Sequence, residues 1–302
     1  MLDLDFAFFN LNHAEKRGIM SRKYFLDRLA PVFFLPRVEK LIQLTGLNFQ
    51  GCQISMPLGP GNLSLIELEK RQAIFQHTTK LVKEYHLTRM AVDRRLKEQL
   101  FELSNSFPVI FGDNFIKALA TALISRILSR HVIKRIIMVG EMEDFPEFLS
   151  EIGEFGVPLS IQSMYPTRYE VMTYRLLYEK GNAVSTSALN PYSWGKGDLV
   201  FVFDPAQEEL TMAYANACCY VRLTNNGCNL APELEAKLSQ NGLVNCLYNL
   251  APIMETCMLE EAGFSVRGAE RVNEGSHGRV FITLKQVGDE MGLWDLFLDK
   301  AI

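Results

Sequence analysis

The feature that most constrains the fold lies between residues 107 and 223, where short apolar runs alternate with helix-length segments. Phe107-Pro108-Val109-Ile110-Phe111 leads into a helix expected over 114–131, and Arg135-Ile136-Ile137-Met138-Val139 into a shorter one over 145–155. A strand expected at 157–161 is followed by a helix at 168–179. Ala183-Val184-Ser185-Thr186 and Leu199-Val200-Phe201-Val202-Phe203 read as further strands, and Cys219-Tyr220-Val221-Arg222-Leu223 as a last one. Strands that stay apolar at successive positions are buried on both faces. With helices between them, they predict a parallel sheet covered on each side. The expected fold is therefore α/β, with a Rossmann-like, mostly parallel open sheet over 107–250.

The first 106 residues predict a smaller, helix-rich N-terminal α/β domain. Asp5-Phe6-Ala7-Phe8-Phe9 reads as a strand. A helix-prone stretch over 21–44 must be broken or kinked by Pro31 and Pro36. Gln53-Ile54-Ser55-Met56 is a short strand, stopped by the turn Pro57-Leu58-Gly59-Pro60-Gly61. Ser64 and Glu67 have capping-box spacing at the start of a helix reaching Tyr85. Met90-Ala91-Val92 is a strand and 96–103 a helix. The segments 251–262 and 282–300 read as helices, expected as a 251–302 extension that packs back on the N-terminal domain.

Charge and cysteine usage narrow the class. The net charge of −4 gives no basic excess of the kind nucleic-acid surfaces carry. The cluster Arg94, Arg95, Lys97 reads as a solvated helix face. The sequence offers no apolar run of membrane-span length. Its acidic start, Met1-Leu2-Asp3-Leu4-Asp5, is unlike a secretory signal, so a cytoplasmic location is expected. The six cysteines form no C-x-x-C pair and the five histidines have no zinc-ligand spacing, so reduced thiols and no metal are expected.

A dinucleotide sheet needs a glycine-rich turn after its first strand, where the backbone approaches a pyrophosphate at a helix N-terminus. Here Gly140 is followed by Glu141-Met142-Glu143-Asp144-Phe145-Pro146, and only the first glycine of the pattern stands. Glu141, Glu143 and Asp144 would repel phosphate or, alternatively, cap the helix. No acid lies about twenty residues on to hold a ribose, whereas Arg168 is suited to a 2′-phosphate. Ser185 and Thr186 are read as strand-end hydroxyls beside a nicotinamide. The candidate cofactor-binding residues are thus Gly140, Asp144, Arg168, Ser185 and Thr186, with NAD(P) disfavoured by the loop.

Three stretches carry a resemblance. Phe111-Gly112-Asp113-Asn114 opens a long helix. Pro252-Ile253-Met254-Glu255-Thr256-Cys257-Met258-Leu259-Glu260-Glu261-Ala262-Gly263 is a late acidic-apolar segment, and Ile282-Thr283-Leu284-Lys285-Gln286-Val287-Gly288 closes the chain. Together they resemble the long-chain acyl-acyl-carrier-protein reductases and predicted amino-acid dehydrogenases, with a shikimate dehydrogenase-like order of elements. The resemblance implies a catalytic cysteine that takes an acyl group as a thioester, and reduction by a nicotinamide hydride. That cysteine falls on Pro252, which has no nucleophile, while Glu255 matches the family's glutamate.

Cys246 is the nearest substitute thiol, and Cys257, among acids, reads as core. Lys117 and Asp113 are similar to an acid–base pair of shikimate dehydrogenase, and their i, i+4 spacing equally supports simple helix stabilisation. Met90-Ala91-Val92-Asp93-Arg94-Arg95 places charges at a strand end, as a site or as a cap. The candidate catalytic residues are therefore Cys246, Lys117 and Asp113. Two readings stay open. One is a divergent reductase-fold protein, with a degraded loop, that binds a small molecule or partner. The other is an active NAD(P)H-dependent oxidoreductase on an acyl or carbonyl substrate. A homodimer is the base-rate expectation for such folds.

Overall fold

A computed structural model describes residues 4–11, 15–18, 22–44, 47–100, 107–140, 145–224, 236, 239–240, 247–263 and 280–297. The chain divides into two compact units: Met1–Gly112 with Ala236–Val244 and Tyr248–Arg271, and Asp113–Glu235 with Asn245–Leu247 and Val272–Ile302.

The first unit holds strands β1 (Phe6–Leu11), β2 (Arg37–Leu44), β3 (Phe49–Met56), β4 (Met90–Val92) and β5 (Val109–Ile110). Its helices include α1 (Lys23–Phe33), α2 (Pro60–Leu65), α3 (Leu68–Glu84) and α4 (Lys97–Leu100). The sheet order is β2-β3-β1-β4-β5, parallel throughout except that β2 runs antiparallel to β3. One face packs Ala7, Phe9, Leu11, Ile54 and Met56 into a core with Leu26, Ile74 and Phe75 of the helices.

The expected helix over 21–44 ends instead at Phe33, and Arg37–Leu44 is a strand. Pro36 forces the preceding residue toward extended backbone. The burial of β2 then follows period two, with Ile42 and Leu44 inward. The capping box does not form: Ser64 lies inside α2 and its Oγ donates to Gly61 O. The Glu15 carboxylate accepts from Gly61 N and Asn62 N at the start of α2. Asp27 Oδ1 accepts from Glu67 N, just ahead of α3.

The second unit holds α5 (Asp113–Arg130), β6 (Arg135–Val139), α6 (Phe145–Gly153), β7 (Leu159–Ser163), α7 (Glu170–Lys180), β8 (Val184–Ala188), β9 (Asp198–Val202), α8 (Pro205–Thr211) and β10 (Cys219–Arg222). All five strands are parallel, in the order β10-β9-β6-β7-β8. This is the doubly wound, Rossmann-like order, with its reversal between β6 and β9. β6, β7 and β9 are buried almost throughout, which explains their apolar runs.

Among the described residues, the longer helices that follow are α9 (Leu247–Glu261) and α10 (Val280–Glu290). The expected 251–302 extension divides. From Tyr248 onward α9 belongs to the first unit, whereas α10 belongs to the second. Aromatic contacts account for the latter: Phe281 meets Phe148, and Trp294 and Phe297 meet Phe115 of α5. Among the described residues, no helix is long and apolar enough to cross a membrane.

Candidate functional site

The carboxyl ends of β1 and β3, with the amino end of the antiparallel β2 beside them, carry a polar cluster. Asn10 of β1 pairs in register with Ser55 of β3, and Gln53 lies two residues back on the same face. Glu39 enters from an irregularity in β2, between Val38 and Lys40. Ser55 Oγ lies 2.7 Å from Asn10 Oδ1 and 2.5 Å from Glu39 Oε2, and its one proton serves one of them at a time. Gln53 Nε2 donates toward Ser55 Oγ (3.0 Å), Glu39 Oε2 (3.2 Å) and Asn10 Oδ1 (3.3 Å). Gln53 is 7% exposed, and its Oε1 is buried without a hydrogen bond. A buried, unsatisfied acceptor costs about 1–3 kcal/mol. The cluster is therefore rich in acceptors and short of donors. Sequence reasoning took Gln53 and Ser55 only as a strand; polar residues at i and i+2 in a buried strand were the available signal.

Next along the same sheet, Asp93 follows β4. Its Oδ1 accepts from Arg95 N at 3.0 Å and from Arg95 Nε at 2.9 Å, and Arg95 Nη2 closes the pair at Oδ2. Asp93 thus serves as a cap and ion-pair partner. Arg94 Nη1 donates to Phe111 O, and its guanidinium lies 5.7 Å from the Tyr248 ring centre of α9. Lys97 Nζ lies 6.0 Å from the Phe111 ring centre. Arg94 and Lys97 are half-buried against Phe111 and Tyr248, whereas Arg95, paired with Asp93, stays exposed as a solvated face requires. Pro252 sits inside α9 against the turn after β5: a Cβ on Gly112 would lie 2.6 Å from Pro252 N and 2.7 Å from Ala251 Cβ. Glu255 and Cys257 of the same helix are buried. Burial, and secondarily Asp5, pushes the Cys257 thiol well up, which leaves it protonated and unreactive.

In the second unit, the strand-order reversal lies at the ends of β6 and β9. Gly140 N donates to Gln162 O at 3.3 Å, and Phe203 N donates to Val139 O at 2.9 Å. Gly140 has φ +105°, and a Cβ there would lie 2.8 Å from Asp204 Cβ and 2.9 Å from Asp204 N. Asp204 caps α8, accepting from Ala206 N and Gln207 Nε2. A carboxylate-bearing residue thus abuts the turn where a pyrophosphate would approach. Glu141 to Asp144, including the cofactor candidate Asp144, lie outside the described residues, as does Cys246.

The remaining candidates are scattered. Arg168 follows β7, its guanidinium 4.7 Å from the ring centre of the exposed Tyr165. Ser185 and Thr186 do not stand at a strand end. They pair with Ser160 and Ile161 inside β8, and the Ser185 hydroxyl donates to Leu159 O. β8 is the outer strand on the side of the sheet away from β9 and β10, so these hydroxyls do not flank the strand-order reversal. Lys117 is 2% exposed, and a buried ammonium must be held by its surroundings. Asp113 opens the same helix, half-buried. Among the described residues, no group of His, Cys, Asp and Glu side chains could hold a metal.

No family model matches the chain, and no curated protein matches it. Several solved structures are similar to it in outline, two of them as follows. One is L-tryptophan dehydrogenase from Nostoc punctiforme, at 12% identity and a TM-score of 0.43, covering 95% of this chain and 83% of that one. The other is a chorismate mutase/shikimate 5-dehydrogenase fusion protein from Clostridium acetobutylicum, at 11% identity and a TM-score of 0.39, covering 96% of this chain and 100% of that one. The Rossmann-like assignment stands on this chain's own strand order.

Proposed function

We propose that this chain binds a small, hydrogen-bond-donating metabolite at the carboxyl ends of β1 and β3, on a dehydrogenase-like frame whose dinucleotide loop is degraded. The observation that carries the reading is the Asn10, Glu39, Gln53, Ser55 cluster with its unbonded Gln53 Oε1. A hydroxyl or ammonium group of a ligand supplies the missing donor. Ligand groups that satisfy buried acceptors give selectivity against analogues lacking them. Pro252 at the position of the resembled family's cysteine supports binding without thioester chemistry. Asp204 beside Gly140, with the acids of residues 141–144, supports the absence of a pyrophosphate seat.

The test is a thermal-shift and calorimetric screen of polyols, amino acids and hydroxy acids. A hit is expected to raise Tm by mass action and to weaken about tenfold or more in Gln53→Ala. Hits that ignore Gln53→Ala and Ser55→Ala would sink the reading.

The second reading, an NADPH-dependent oxidoreductase, is favoured by one feature. Arg168 over Tyr165 offers a cation and an aromatic face after the second strand of the parallel sheet. Titration with NADPH and NADH, followed by nicotinamide fluorescence, separates the two. Saturable NADPH binding lost in Arg168→Ala would establish the second reading and overturn the claim of a degraded loop.

A further inference from the structure

The second unit carries a concavity of about 580 Å³ at the amino ends of its strands, the edge opposite to the strand-order crevice. Its size falls within the ~300–1,000 Å³ typical of small-molecule sites. The loop before β6 supplies His131, Val132, Ile133 and Lys134; the loop before β9 supplies Lys196; the start of β10 supplies Cys219.

The lining has two chemical parts. Val132 is 90% exposed and Ile133 half-buried, so this wall is an apolar surface facing water. The lysines supply the charge, and neither carries an ion pair among the described residues. The acid in the lining, Asp198, is already committed: Arg135 Nη2 lies 2.7 Å from its Oδ2, Arg135 Nε 3.3 Å from its Oδ1, and Gly195 N donates to Oδ2 at 3.0 Å. The site is therefore net cationic. Cys219 adds no counter-charge, because burial raises its thiol and keeps it neutral.

The two loops are pinned to each other. Lys134 N donates to Gly197 O at 2.8 Å. Gly197 has φ +101°, and its missing side chain leaves the Lys134 stem lying across it, 3.3 Å from where a Cβ would stand. The backbone that carries both ammonium groups is thus fixed before any ligand arrives, which lowers the ordering cost of binding.

We infer that this concavity is a binding site for an amphiphilic anion, a carboxylate or phosphate head held by Lys134 and Lys196 with an apolar body against Val132 and Ile133. It is a different site from the polar cluster of the first unit and does not depend on it.

The experiment is calorimetric titration of the full chain with octanoate, octyl phosphate, acetate and 1-octanol. Octanoate or octyl phosphate is expected to bind at least tenfold more tightly than acetate, which lacks the body, and than octanol, which lacks the charge. Whichever head binds tighter identifies the anion. Lys134→Glu/Lys196→Glu should weaken the anion at least tenfold with unchanged far-UV circular dichroism, and Val132→Glu should do so from the apolar side. Equal binding of octanol and octanoate, undiminished binding in both variants, or no binding of either anion into the low millimolar range would overturn the inference.

Discussion

At the scale of single residues, two positions have consequences that can be measured. Gly140 combines a positive φ with a neighbour, Asp204, whose backbone stands where a side chain would go. Gly140→Ala is therefore expected to cost about 1–3 kcal/mol from backbone strain and overpacking, read as a lower urea midpoint. Cys52 is fully buried in β3, and burial raises its thiol to about 11 from 9.0. Burial favours the neutral thiol, so its contribution is complete below pH 9 and is lost as pH rises through 11. Urea midpoints should fall over that window, and the fall should flatten in Cys52→Ala, whose own midpoint at pH 7 is lower because a cavity replaces the sulfur. Legibility at this scale was uneven. Cys257 was readable as core from its acidic, apolar surroundings. The Asn10–Glu39–Gln53–Ser55 cluster was not, because its members come from three strands and meet only when β1 inserts between β3 and β4.

At the scale of elements, the Pro57–Gly61 turn has a further role. A Cβ on Gly59 would lie 2.3 Å from Glu15 Cδ, so glycine here admits the carboxylate that caps α2. Glu15→Ala is expected to destabilise by about 1 kcal/mol, and Glu15→Gln by less, since its amide oxygen can still accept; chemical denaturation of both variants checks the order. The strands of the second sheet were legible because burial on both faces leaves an unbroken apolar run, as at Ile136 to Val139. β2 was missed for the converse reason. Leu41 is exposed and Lys40 takes an inward position, which hides the apolar alternation, and Pro31 and Pro36 ahead of the strand read only as helix breakers.

At the scale of the molecule, the fold class was readable and the partition of residues 251–302 was not. Nothing in the local pattern of residues 280–297 says which unit they join; that is decided by Phe281, Trp294 and Phe297 finding Phe148 and Phe115. The packing there is close. A Cβ on Gly288 would lie 2.2 Å from the Trp294 ring. Gly288→Ala should displace that indole from its buried site, shifting tryptophan emission to longer wavelength and lowering the thermal midpoint. Trp194 and Trp294 are the chain's two tryptophans, and both belong to the second unit. Tryptophan emission is therefore one-sided. An amphiphile entering at Lys134 and Lys196 arrives in the unit that holds both indoles, whereas a metabolite settling on Gln53 enters one without an indole, where an introduced reporter is needed.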